Sequence, residues 1–183
     1  DGFVSANTYN NRIHTYVNSG PWTITITGTI TGWSYFGLGS ATQLIEVIKF
    51  GPLKGLNNDN NGMFGSCSNL VLTGVTDTPD LVGITATTYM FYQCTKITTI
   101  NNINTWSTSS LKVLQAMFFG ATLFNDNIGN WDLSNVNNMN GTFINCSSFD
   151  NGGSASIGGW NVSACTNMSS LFSSSSSLNQ DIS

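Results

Sequence analysis

Apolar residues recur along this chain with a long period. Phe64, Phe91, Phe118, Phe143 and Phe172 fall into one column, separated by 27, 27, 25 and 29 residues. Twelve residues before the last three stand Trp106, Trp131 and Trp160, with Pro79 in the same column one repeat earlier. Between Trp and Phe the unit keeps its pattern. Leu133, Val136 and Met139 match Val162, Cys165 and Met168, and the earlier copies read Thr108, Leu111, Leu114 and Leu81, Ile84, Thr87. Three residues after each Phe comes a small residue (Cys67, Cys94, Ala121, Cys146, Ser175), and three further on an apolar one (Leu70, Ile97, Phe124, Phe149, Leu178). A period of about 25 residues lies in the solenoid range and inside the leucine-rich-repeat window.

The spacing predicts the shape of one unit. Val136, Met139, Phe143 and Cys146 sit where one face of a helix would place them. Asn137 or Asn138 is a candidate cap, since a short amide oxygen accepts from the free N–H groups of a first turn. That helix is short and rich in Asn and Gly, so it is not stable alone. Phe124 to Ile128 reads as a short strand or extended rung, and Gly129-Asn130 as a turn. One unit has an apolar stripe and no partner for it, so neighbouring units must cover each other. Each column Phe contributes about 1.5–3 kcal/mol of transfer free energy when buried. The expected structural core is therefore Phe64, Phe91, Phe118, Phe143, Phe172, Trp106, Trp131, Trp160, Met139 and Met168.

The run LFNDNIGNWDLSNVNNMNGTF, residues 123–143, resembles the BspA-type leucine-rich repeats of bacterial and protist surface proteins, whose recognisable pattern is FNxxIxxWDxSNVxxMxxMF. The likeness is close there, good over 156–182 and weaker back to residue 44. It implies a right-handed leucine-rich-repeat solenoid, extracellular display, a role in adhesion and no catalytic residues. The chain departs from the pattern at Pro79, at Thr142 (where the family has a second Met) and in a four-residue bulge at Gly152 to Ala155.

Taken in order, residues 1–43 are expected to form an N-terminal β cap. Within it Trp22, Ile24, Ile26 and Ile30 alternate with Thr23, Thr25, Thr27, Thr29 and Thr31, the period of a half-buried strand. Residues 44–183 are expected to form a leucine-rich-repeat-like solenoid of five to six rungs, a short strand plus a short helix in each. Leu44 to Phe50 is the first rung, with Phe50 about where Trp stands later, and Asn57 to Gly62 is a turn-rich insertion. Leu178 to Ile182 repeats Phe124 to Ile128, so the sequence stops inside a rung. That is expected of a fragment of a longer array, or of an end covered by another copy in a head-to-tail fibre.

Composition narrows the function. Charged residues make up only 8% of the 183 residues, and the net charge is −4, so the surface is neutral, hydrated and Asn/Ser/Thr-rich. With four Lys and one Arg there is no basic patch, which excludes a nucleic-acid partner. No apolar run is long enough to span a membrane.

Candidate chemistry is sparse. Cys67 and Cys94 lie on adjacent rungs in one column and are candidates for a disulfide in an oxidising compartment, against a default of core packing. Cys146 and Cys165 occupy different columns. With no CxxC and a single His, His14, no metal site is expected. Asp77 and Asp80 flank Pro79 and read as turn formers rather than a catalytic pair, and Glu46 is the only Glu. No phosphate loop or nucleophile elbow occurs, so neither a cofactor nor a catalytic residue is expected. Asn125, Asp150 and Asn179 form a polar column, expected to bond the next rung's backbone rather than hold calcium. Asn140, Asn145, Asn161 and Asn167 head N-glycosylation sequons. The expected function is a non-enzymatic extracellular or cell-surface module for adhesion or recognition of a protein or glycan partner. The alternative is a structural subunit of a fibre, virion appendage or surface layer, its partner being another copy.

Overall fold

The computed structural model describes residues 30–31, 41–51, 53–54 and 62–181. The β cap expected over 1–43 lies outside the described residues except for Ile30–Thr31 and 41–43. Ile30–Thr31 (β1) pairs in parallel with Leu53–Lys54 (β2), Ile30 opposite Leu53. Four short 3-10 turns follow the pattern of no single rung: Ala41–Gln43, Ile103–Thr105, Asn151–Gly153 and Ala155–Gly159. Among the described residues there is no α-helix, and the strands are two residues long.

The expected architecture of a short strand plus a short helix per rung, the leucine-rich-repeat-like solenoid, is therefore overturned. Residues 136–146 hold a bridge at Asn138 and turns over 140–145 rather than a helix, and 124–128 form no strand. The reason lies in the backbone around each column Phe. Two residues before it and two after it, φ is positive: Gly62 and Ser66, Tyr89 and Gln93, Ala116 and Gly120, Gly141 and Asn145, Ser170 and Ser174. A right-handed helix cannot carry a left-handed residue at every fourth position. Instead three turns overlap. Around Phe91 the N–H groups of Met90, Tyr92 and Cys94 donate to the carbonyls of Thr87, Tyr89 and Phe91. The alternate N–H groups, of Tyr89, Phe91 and Gln93, point out of the turns and donate to Gln115, Met117 and Phe119 of the next coil, at 3.1, 2.8 and 2.7 Å. The same arrangement recurs from Ala116, Phe118 and Gly120 to Asn140, Thr142 and Ile144, and from Gly141, Phe143 and Asn145 to Ser169, Leu171 and Ser173. Every second donor closes a local turn and every other one ties two coils together, so the backbone is satisfied without helix or sheet.

Elsewhere in the coil the contact is a single parallel bridge per step, Ala86 to Val113 to Asn138 to Asn167. There the direction reverses: Lys112 and Val113 both donate back to Thr85, and Asn137 and Asn138 both donate back to Lys112.

Inside the coils the aromatic rings stack. Consecutive ring centroids along Phe64, Phe91, Phe118, Phe143 and Phe172 are 5.7, 5.3, 5.6 and 5.5 Å apart. Trp106 stacks on Trp131 at 6.2 Å, and Phe124 on Phe149 at 5.8 Å. Phe50 closes one side, edge-on to Trp106 at 5.8 Å and tilted on Phe64. Phe64, Phe91, Phe118, Phe143, Trp106, Trp131 and Met139 are buried; Trp160 and Phe172 are half-buried and Met168 is exposed. The indole N–H of Trp131 donates to Ile103 O at 2.9 Å and that of Trp160 to Ile128 O at 3.4 Å. Among the described residues the buried Trp106 indole N–H has no such acceptor.

Left-handed positions make one stability prediction local. Gly141 has φ +62°, and a Cβ there would meet Ile144 Cδ1 at 2.9 Å. Gly141→Ala is expected to cost about 1 kcal/mol, read as a lower urea midpoint with unchanged slope. The native Ala116 in the equivalent position indicates that the fold survives the change.

Candidate functional site

The turn face of the coils carries the most regular polar surface among the described residues. Residues two after each column Phe, namely Gln93, Gly120, Asn145 and Ser174, line one side of a groove of about 400 Å³. Residues four after it, namely Thr95, Thr122 and Ser147, line the other. The groove therefore runs across four successive coils. None of its lining residues is charged. Its hydroxyls also tie coil to coil: Thr95 Oγ1 donates to Ser68 O at 3.3 Å, and Ser147 Oγ to Thr122 O at 3.2 Å. Gly120 makes its floor. At Gly120, whose φ is +72°, an added Cβ would lie 2.7 Å from Gln93 Nε2 and displace the Gln93 amide.

Next in sequence to two of the groove residues stands an aromatic pair that does not itself line the groove. Tyr92 and Phe119, which immediately precede Gln93 and Gly120, are half-buried and stack at 5.0 Å with an interplanar angle of 23°. Tyr89 meets Tyr92 edge-on at 5.5 Å.

A second hollow, about 310 Å³, is lined by Thr99 to Asn104 and by Thr73, Asp126 and Asn127. Its one carboxylate is already committed, since Asp126 accepts from Ile100 N–H and Asn127 N–H, both at 2.9 Å.

Asp77 accepts from Phe50 N–H and Gly51 N–H at 2.7 and 2.8 Å, which makes its carboxylate a clamp between coils. Asp80 accepts from Val82 N–H in its own turn. The polar column bonds from coil to coil: Asn125 Oδ1 accepts from Asp150 N–H, and Asp150 Oδ1 from Asn179 N–H, both at 2.9 Å. The Gln180 amide and Asn179 N–H hold the Asp150 carboxyl below its ordinary pKa. Among the described residues no three His, Cys, Asp or Glu side chains cluster as metal ligands; His14 lies outside the described residues.

Cys67 and Cys94, the candidate disulfide, are free thiols, as are Cys146 and Cys165. Two of the buried thiols use the hydrogen that a disulfide would remove. Cys94 Sγ donates to Phe64 O at 3.0 Å and Cys146 Sγ to Phe118 O at 2.9 Å, and Ser175 Oγ reaches Phe143 O in the same way. Three of the five column residues, Cys94, Cys146 and Ser175, thus donate as well as fill space, while Ala121 only fills space. Burial pushes the Cys67 and Cys146 thiols up to about 12 and Cys94 well above its ordinary value, so all three stay protonated.

The sequon residues differ in access. Asn145 and Asn161 are exposed, whereas Asn140 and Asn167 are half-buried. The Asn140 amide donates to Ser169 O at 3.0 Å, and Asn167 Oδ1 accepts from Ser169 N–H at 3.1 Å.

Residues 58–183 match the model of a family described as "Mycoplasma protein of unknown function, DUF285". The chain belongs to this family. No curated protein and no solved structure matches it. The DUF285 region contains the whole groove and both aromatic columns. Among the described residues no helix is long and apolar enough to cross a membrane. Of the groove, sequence reasoning had singled out only Asn145, and that as a sequon. Its signal was available as two columns, two and four places after the Phe, that never hold a charge or a large apolar side chain.

Proposed function

We propose that this DUF285 chain is a non-enzymatic repeat module, displayed outside the cell, whose turn face recognises a partner. The uncharged groove across four coils, with the Tyr92–Phe119 stack next to it in sequence, carries the reading. Such a surface is rich in hydrogen-bonding amides and hydroxyls. Binding sites of this kind take their specificity from a few well-placed polar groups against an apolar or aromatic backdrop. The low charge suits a hydrated, displayed surface, and the resemblance of residues 123–143 to BspA-type surface repeats supports the same placement.

The location is tested on whole cells. Antibodies raised against the purified chain are expected to label intact source cells, and brief external protease treatment to remove the signal. Labelling seen only after permeabilisation overturns the reading.

A further inference from the structure

The groove also has a chemistry that selects among partners, and this inference rests on the recognition reading above. We infer that the groove formed by Gln93, Thr95, Thr122, Asn145 and Ser147, with the adjoining Tyr92–Phe119 stack, binds an uncharged oligosaccharide lying along the stack of coils.

Four observations point to a sugar chain. First, the lining groups are amides and hydroxyls. These both donate and accept, as the hydroxyls of a pyranose do. Second, no charged residue lines the groove, so an acidic polysaccharide or a phosphate would be desolvated there without compensation. Third, Tyr92 and Phe119, stacked on each other and half-buried, present apolar ring edges next in sequence to the groove residues, against which the C–H groups of a sugar can pack while its hydroxyls meet the polar column. Fourth, the backbone N–H groups of one column of the groove are already used. The N–H groups of Gln93, Gly120 and Asn145 donate to Phe119, Ile144 and Ser173. An extended peptide, which binds a sheet edge through a row of unpaired backbone groups, finds none among these three. The groove repeats its groups at each coil, so the ligand it fits repeats too. With parallel-bridged coils about 4.8 Å apart, four of them span roughly 14 Å, room for about three sugar units.

The test uses the full chain and a panel of neutral hexasaccharides: the β-1,4-glucose, α-1,4-glucose, β-1,4-N-acetylglucosamine and β-1,4-mannose series. A sulfated hexasaccharide and a proline-rich peptide serve as competitors of other classes. Calorimetry is expected to find at least one neutral hexasaccharide that binds about tenfold or more tightly than its monosaccharide, with an affinity unchanged by salt. Tyr92→Ala is expected to weaken it by about tenfold or more. Gly120→Ala, which displaces the Gln93 amide, is expected to weaken it with the aromatic pair intact. Both variants are checked for native near-ultraviolet circular dichroism. Independently of any variant, the bound sugar is expected to shift the Tyr92 ring and Gln93 side-chain amide resonances of the unaltered protein. Binding of no neutral sugar overturns the proposal. So does salt-sensitive binding of the sulfated sugar alone, preference for the peptide, or binding that leaves the Tyr92 and Gln93 resonances in place. If the panel is silent while intact cells still display the chain, the sugar assignment falls and the surface reading stands.

Discussion

Phe118→Ala is expected to destabilise the chain by about 3–5 kcal/mol, and Phe172→Ala by only about 1–2 kcal/mol. The two residues occupy the same column and differ in what covers them. Phe118 is fully buried between Phe91 and Phe143 at 5.3 and 5.6 Å, with Phe124 at 4.2 Å and Trp131 at 6.4 Å on its other sides. Truncating it opens a cavity whose walls are rings fixed by their own coils, so they cannot collapse inward. Phe172 is half-buried and, among the described rings, meets Phe143 and Phe149. Urea unfolding followed by tryptophan fluorescence measures both. Equal losses would show that coverage by a following coil does not matter. A cost below about 1 kcal/mol for Phe118→Ala would be out of line with a continuous core.

The second large effect appears at alkaline pH. Cys67, Cys94 and Cys146 have folded-state pKa values raised by burial from an ordinary 9.0, to about 12 for Cys67 and Cys146. The unfolded chain releases these protons first. The stability held by each neutral thiol is therefore fully present below pH 9 and is lost as pH rises toward 12. At pH 10 the loss is about 1.4 kcal/mol for each of Cys67 and Cys146, and Cys94 adds to it in the same direction. The urea midpoint should fall steeply between pH 8 and 10.5, the span from about one unit below the ordinary thiol value. In the triple variant C67S/C94S/C146S it should fall less, because a serine hydroxyl does not ionise there and Ser175 already makes the equivalent bond. Parallel curves for the two proteins would remove the thiols from the account. Iodoacetamide at neutral pH should modify the half-buried Cys165 well ahead of the other three.

The aromatic register was legible in the sequence because it is written in unmistakable letters. Phe91, Phe118 and Phe143 have few substitutes of the same size. The path between them was not legible. Val136, Met139, Phe143 and Cys146 have helical spacing, yet overlapping turns of three bring the same residues to one side. What separates the two is backbone sign at Gly141 and Asn145, and at Tyr89, Gln93 and Ala116 in other coils. Only some of those are residues that favour positive φ, so the repeated exception does not stand out. The thiol–carbonyl bonds were hidden for a related reason: Cys, Ala and Ser in one column read as a constraint on size, while the donor matters as well. The groove was less visible still. It is built from side chains far apart in the chain, and Gln, Gly, Asn, Ser and Thr look like ordinary surface until the coils place them side by side.

The longest interval between column residues, 29 from Phe143 to Phe172, is accommodated by the 3-10 turns Asn151–Gly153 and Ala155–Gly159. The buried Asn151 anchors them, accepting from Ile128 N–H and donating to Ser154 O. The excess length is taken up against Asn125, Asn127 and Asp181, none of which lines the groove. The ring ladder keeps its spacing across this longest step, at 5.5 Å. Such an arrangement separates inheritance into two channels. One circumference of the coil can drift in length from copy to copy while the other preserves its alignment, so lineages can diversify outline without surrendering what the aligned side does.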